Sequence, residues 1–127
     1  MIQIVLVFLG GGVGSVARHG VNIVAARILG TGFPWGTFIV NVVGSFAMGV
    51  IVAWLAFRAG GGWSQHTRLL LTTGFLGGFT TFSTFSLDTA LLWERDAYAA
   101  AIGYVAISVL LGVLGLFAGL ALIRSLT

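Results

Sequence analysis

The chain has 127 residues, 58% of them hydrophobic and only 7% charged, with six Arg, no Lys, three acids and no Cys. Soluble domains carry about 25% charged residues, and a chain this short cannot hide so much apolar surface from water. The surrounding solvent is therefore lipid, disulfides and thiolate chemistry are excluded, and the Arg residues stand too far apart for a phosphate-binding face, which excludes nucleic acid despite a net charge of +3.

A bilayer crossing takes about 20 apolar residues at about 1.5 Å each, and the sequence offers four such stretches. The first, about 2–28, opens IQIVLVFLGGGVGSVA and then carries Arg18 and His19. An Arg inside a span is costly, so it faces a partner, a vestibule or the interface. Drawing anions to an entrance, forming a structural salt bridge and capping a carbonyl are all open to it. The IVLVFL run resembles a signal-peptide core, but it lacks a positively charged start, so the segment is read as retained. Gly12, Gly14 and Ala17 spell a dinucleotide fingerprint without the acid that such a site needs about 20 residues on. Close helix packing is the better reading.

The second stretch, about 36–57 (GTFIVNVVGSFAMGVIVAWLAF), follows the only proline, Pro34, and has no charge. Thr37, Asn41 and Ser45 recur every fourth residue and form a polar stripe. The Asn41 amide brings two donors that need partners in hydrocarbon. Interhelical glue and a pore role remain equal readings for it.

The third stretch, about 67–93, reads TRLLLTTGFLGGFTTFSTFSLDTALLW. Glycines at 74, 77 and 78 each weaken a helix by about 1 kcal/mol relative to Ala. A helix interrupted in lipid survives only where protein or a water-filled cavity pairs its freed backbone. The span is predicted to break mid-membrane, with Gly77 to Thr80 a candidate cation site; close packing of the glycines is the alternative. Thr80, Thr81, Ser83, Thr84 and Ser86 then set five hydroxyls beside Phe82 and Phe85, which share one helical face.

The fourth stretch, about 97–123, is rich in small residues and carries Tyr104 and Ser108 one turn apart. The loops are short, so 1–127 reads as a single four-span, all-α transmembrane domain. The Trp residues at 35, 54, 63 and 93 lie near span ends, where amphipathic rings favour the interface. Arg58, Arg68 and Arg124 fall on one side of the bilayer and Arg27 and Arg95 on the other. So small a bias favours insertion both ways, and two copies meeting antiparallel.

His19 and His66 lie in different segments and no HExxH occurs, so no catalytic set assembles and the chain reads as a non-enzyme. The polar lines contain donors but no Lys and no Arg, which suits a small, hard anion better than a phosphate or carboxylate that calls for an Arg fork. Asp88 fits an anion path only if it is protonated, paired or off the path.

The runs GGGVGSVAR, GTFIVNVVGSF and above all GFLGGFTTFSTFS resemble the small dual-topology fluoride channels of the Fluc or CrcB family, over nearly the whole chain. The resemblance implies a passive, fluoride-selective channel that exports cytoplasmic fluoride across the cell's inner, or plasma, membrane. It implies an antiparallel homodimer with two pores and a structural sodium ion at the dimer interface, held by backbone carbonyls of Gly77 and Thr80. It further implies that Phe82 and Phe85 line the pores, that Asn41 offers its amide to fluoride, and that Ser83, Thr84, Tyr104 and Ser108 extend the polar track. Arg18 matches a basic residue near the vestibule. His19 stands where Tyr is common in the family and Asp88 where Glu is common.

Two other readings compete. A four-helix dual-topology multidrug exporter needs a membrane-embedded acid in its first helix, and this one has none. A membrane subunit that only packs against a larger complex has little use for polar stripes on three helices.

Overall fold

The computed structural model describes residues 1–57 and 63–126, and these are all helix and short connections. Arg58 and the side chain of Trp63, used above for orientation and interface placement, lie outside the described residues.

Helix α1, Ile2–Leu29, closes on Gly30, whose φ of 82° is one that L side chains rarely adopt and whose N–H returns to Ala26 O. Helix α2, Trp35–Phe57, begins directly after Pro34, where a missing N–H costs nothing because first-turn donors have no helical partner. The next run is pieced together: α3, Trp63–Arg68; a π-helical stretch, Leu69–Leu76; α4, Gly77–Phe79; an extended pair, Thr80 and Thr81; and α5, Phe82–Glu94. A corner with Asp96 at φ 62° leads into α6, Tyr98–Leu126. The starts of α2 and α6 and the end of α1 differ from the sequence expectation by a single residue each.

Three of these helices are long and apolar enough to cross a membrane: Ile2–Leu29, Trp35–Ala56 and Tyr98–Leu126. Only 11% of the apolar windows of α1 and α6 is buried within the chain, and Ile4, Val16, Leu110 and Phe117 point outward. Surfaces of this kind are stable against lipid and not against water. The protein is a multi-pass membrane protein.

With no hydrophobic drive between helices in lipid, close packing must hold them together. Glycines provide it on two seams. Along α1, a Cβ at Gly14 would collide with Phe75 O, and one at Gly78 would collide with Gly11 O, so α1 lies against the π-helical stretch and α4 backbone to backbone. On the second seam, Gly49 meets the backbone of Leu116 and Gly119 that of Phe46, so α2 and α6 run parallel in tight contact. At one end Leu92, Ala101 and Tyr104 form a small core with Phe33, Phe38 and Phe85 packed on it, tying α5 to α6 and to the turn before α2.

Candidate ion path

The extended pair has φ/ψ of −89°/159° at Thr80 and −153°/123° at Thr81. Extended residues between two helices leave backbone groups that must be paired elsewhere. Asn41 of α2 does most of this. Its Nδ2 donates to Thr81 O at 3.0 Å and its Oδ1 accepts from Thr81 N at 2.8 Å, so the side-chain amide acts as a surrogate peptide. Thr81 Oγ1 accepts from Thr84 N at 3.2 Å and caps α5. Thr80 N and Thr80 Oγ1 both turn back to Leu76 O, at 2.9 and 2.8 Å. Arg18 Nε reaches from α1 to Gly78 O at 3.0 Å, the carbonyl-capping role left open by the sequence.

These partners have a consequence for two carbonyls. In an uninterrupted helix Gly77 O would accept from Thr81 N, and Thr80 O from Thr84 N. Here the first donor goes to Asn41 and the second to the Thr81 hydroxyl. Gly77 O and Thr80 O are thereby released from the helical pattern, while Gly77 itself keeps helical angles of −61°/−38°.

A groove of about 430 Å³ opens beside the pair, between α2, α5 and α6, lined by Asn41, Ser45, Thr80, Thr81, Phe82, Phe85 and Ser108. Gly44 sets its width, because a Cβ there would collide with the Thr80 methyl. Phe82, 79% exposed, stands at the rim, and its ring centre lies 5.8 Å from that of Phe85. Ser108 Oγ is buried with no hydrogen-bond partner, the sole such side-chain atom among the described residues.

A second cavity of about 330 Å³ lies toward the turn between α1 and α2, lined in part by Asn22, Thr37, Thr84, Asp88 and Arg95. Between the two sits Tyr104, fully buried, with its ring 5.0 Å from Phe85 and its hydroxyl donating to Asp88 Oδ2 at 3.3 Å. Thr37 bonds the same phenol. Asp88 is therefore paired, one of the three conditions set for it above.

The fold thus brings Asn41, Phe82, Phe85 and Ser108 around one groove, with Thr84 and Asp88 on the other cavity and Tyr104 between the two. Ser83 is exposed and bonds only sideways to Thr81 Oγ1, at 3.3 Å. Arg18 engages the far side of the extended pair, away from both cavities. The sequence reading left out Thr81 as the cap and placed Ser45 on the polar stripe without singling it out. Thr81 had a signal, a hydroxyl three residues before Thr84 at the start of an apolar-aromatic run. Among the described residues no three His, Asp or Glu gather as metal ligands.

Membrane-crossing helices with neutral amide and hydroxyl donors along the grooves between them define an integral membrane protein built to carry a small polar species. Residues 5–120 match the family described as CrcB-like protein, Camphor Resistance (CrcB), and the chain belongs to that family. It is 60% identical over 122 residues to a protein of Rhodopseudomonas palustris strain BisB5 named fluoride-specific ion channel FluC, with 96% of this chain and 97% of the relative covered. It is 58% identical, with the same coverage, to fluoride-specific ion channel FluC 2 of Nitrobacter hamburgensis. A third relative, the FluC of Methylobacterium nodulans, is 56% identical over 98% of both chains.

Proposed function

We propose that this chain is a fluoride-selective passive anion channel that lets cytoplasmic fluoride leave the cell and so relieves its toxicity. The observation that carries the reading is a groove in which neutral amide and hydroxyl groups stand among apolar side chains such as Met48 and Val109, with aromatic rings at its rim and no Lys or Arg on its wall. Near full-length identity to relatives named fluoride-specific channels selects the ion. The chain is a channel and not an enzyme.

Neutral HF enters cells, ionises in the less acidic cytoplasm and is trapped as fluoride, so a passive pore in the inner membrane suffices to release it. Phe82 and Phe85 turn positive ring edges to the ion. Asn41 has a second Nδ2 hydrogen beyond the one given to Thr81 O, and offers it to fluoride. Thr84 and Ser108 continue the donor line beside the Tyr104 ring, Ser83 joins it at the exposed rim, and Asp88, which accepts the hydrogen bond of the Tyr104 hydroxyl, stays out of it. Fixed donors spaced for a small ion disfavour chloride.

The extended pair falls mid-membrane and interrupts the third of four crossings, so that 1–127 forms one four-span domain. Two copies associate antiparallel, each covering the other's exposed Phe82. Gly77 O and Thr80 O of both copies then hold a sodium ion; carbonyl oxygens released from helical bonding have the donor chemistry such an ion takes. Sodium supplies positive charge at the centre and joins the subunits. Arg18 braces the same segment through Gly78 O.

The test is fluoride efflux from liposomes holding the purified protein, with chloride followed in parallel. Rapid fluoride loss with chloride retained is expected. Proton-coupled uptake of a lipophilic cation without fluoride flux would favour the exporter reading instead.

A further inference from the structure

We infer that Ser45 is a further ion-contacting residue of the fluoride path, its hydroxyl continuing the donor line one helical turn beyond Asn41; this rests on the channel reading above. The parallel seam between α2 and α6 sets polar residues opposite one another at one-turn intervals. Thr37 meets Tyr104 at the first level. Asn41 and Ser108 line the groove at the second. At the third, Ser45 faces Gly112, and its Oγ would stand 3.7 Å from a Cβ built there.

Because Gly112 has no side chain, the position of α6 directly opposite Ser45 leaves room at its hydroxyl, which lies on the groove wall beside Val109 and Val113. Ser45 is half-buried, and Ser108, the next hydroxyl along the wall, is nine-tenths buried and unpartnered. Two hydroxyls on one wall, one of them with no protein partner, suit an anion that accepts hydrogen bonds and has shed water. A single turn of helix advances about 5.4 Å, so an ion leaving the Asn41 level reaches the Ser45 level in one step.

The experiment uses the full chain in liposomes and reads the ratio of variant to parent fluoride efflux, with Ser125→Ala as the control hydroxyl at the far end of α6. Ser45→Ala should slow efflux about tenfold or more, the loss expected for one hydrogen bond to a charged species. The double variant Ser45→Ala with Gly112→Ser moves the hydroxyl across the seam and should recover most of that loss. A Ser45→Ala protein as fast as the parent overturns the inference. So does a slow Ser45→Ala protein that the swap leaves slow, since Ser45 would then serve packing alone. Efflux by the parent reads the channel function itself, so its failure is told apart from a failure at Ser45.

Discussion

The α2–α6 pair and the run from 63 to 94 meet one requirement, that no backbone group go unpaired in lipid, by opposite means. Helices α2 and α6 keep their own hydrogen bonds, and Gly49 and Gly119 let their two backbones close on each other. The other run gives up regular bonding at Thr80 and Thr81 and borrows partners from α1 and α2. The first arrangement is a scaffold. The second leaves Gly77 O and Thr80 O outside the helical pattern, and its shape depends on side chains distant in sequence.

The comparison is broken most severely at Asn41. Asn41→Ala strips partners from both the N–H and the C=O of Thr81, and each buried group left unpaired costs about 1–3 kcal/mol. A markedly lower thermal midpoint in detergent is expected together with loss of fluoride efflux; a midpoint equal to the parent's would show that the pair does not depend on Asn41.

Neighbouring glycines sharpen the contrast. Gly78→Ala drives a methyl into Gly11 O and should destabilise by about 1–3 kcal/mol. Gly77→Ala meets only Thr72 O at 3.7 Å in a helical conformation, and should be neutral or stabilise by up to about 1 kcal/mol. Melting the two variants side by side checks the opposite signs.

Thr81→Ala removes the cap of α5 and should cost about 1 kcal/mol, read as a smaller fall in midpoint than for Asn41→Ala. Phe82→Ile should leave the fold of the single chain within about 0.5 kcal/mol of the parent, since its side chain is 79% exposed there, with any further loss confined to the contact between copies, and yet slow fluoride efflux. Equal stability with reduced flux would separate the function of the rim from that of the scaffold.

Much of the scaffold was legible because bilayer thickness sets helix length and composition marks it. The stripe of Thr37, Asn41 and Ser45 was also visible from spacing alone, and the fold turns it toward α5 and α6. The location of the extended residues was not. Glycine propensity pointed at 77 and 78, but both remain helical and only Gly78 serves the approach of α1, whereas two threonines with better local reasons to continue the helix are extended. What decides the matter is an amide 40 residues away, and no local scale registers a partner at that distance. The role of Arg18 was open for the same reason, and its choice of Gly78 O depends on how α1 registers against α4.

The extended pair also has an electrical consequence. It separates the end of α4 from the start of α5 by two residues, and helix ends carry partial charges of opposite sign, negative where carbonyls are free and positive where N–H groups are free. Poles of both signs are thus set side by side by peptide dipoles, with no carboxylate or imidazole at the pair. Arg18 reaches the segment from α1 through Gly78 O. The part of the local field that peptide dipoles supply carries no proton to lose, so it stays the same when the cytoplasm acidifies, the condition under which entering HF most needs to be countered.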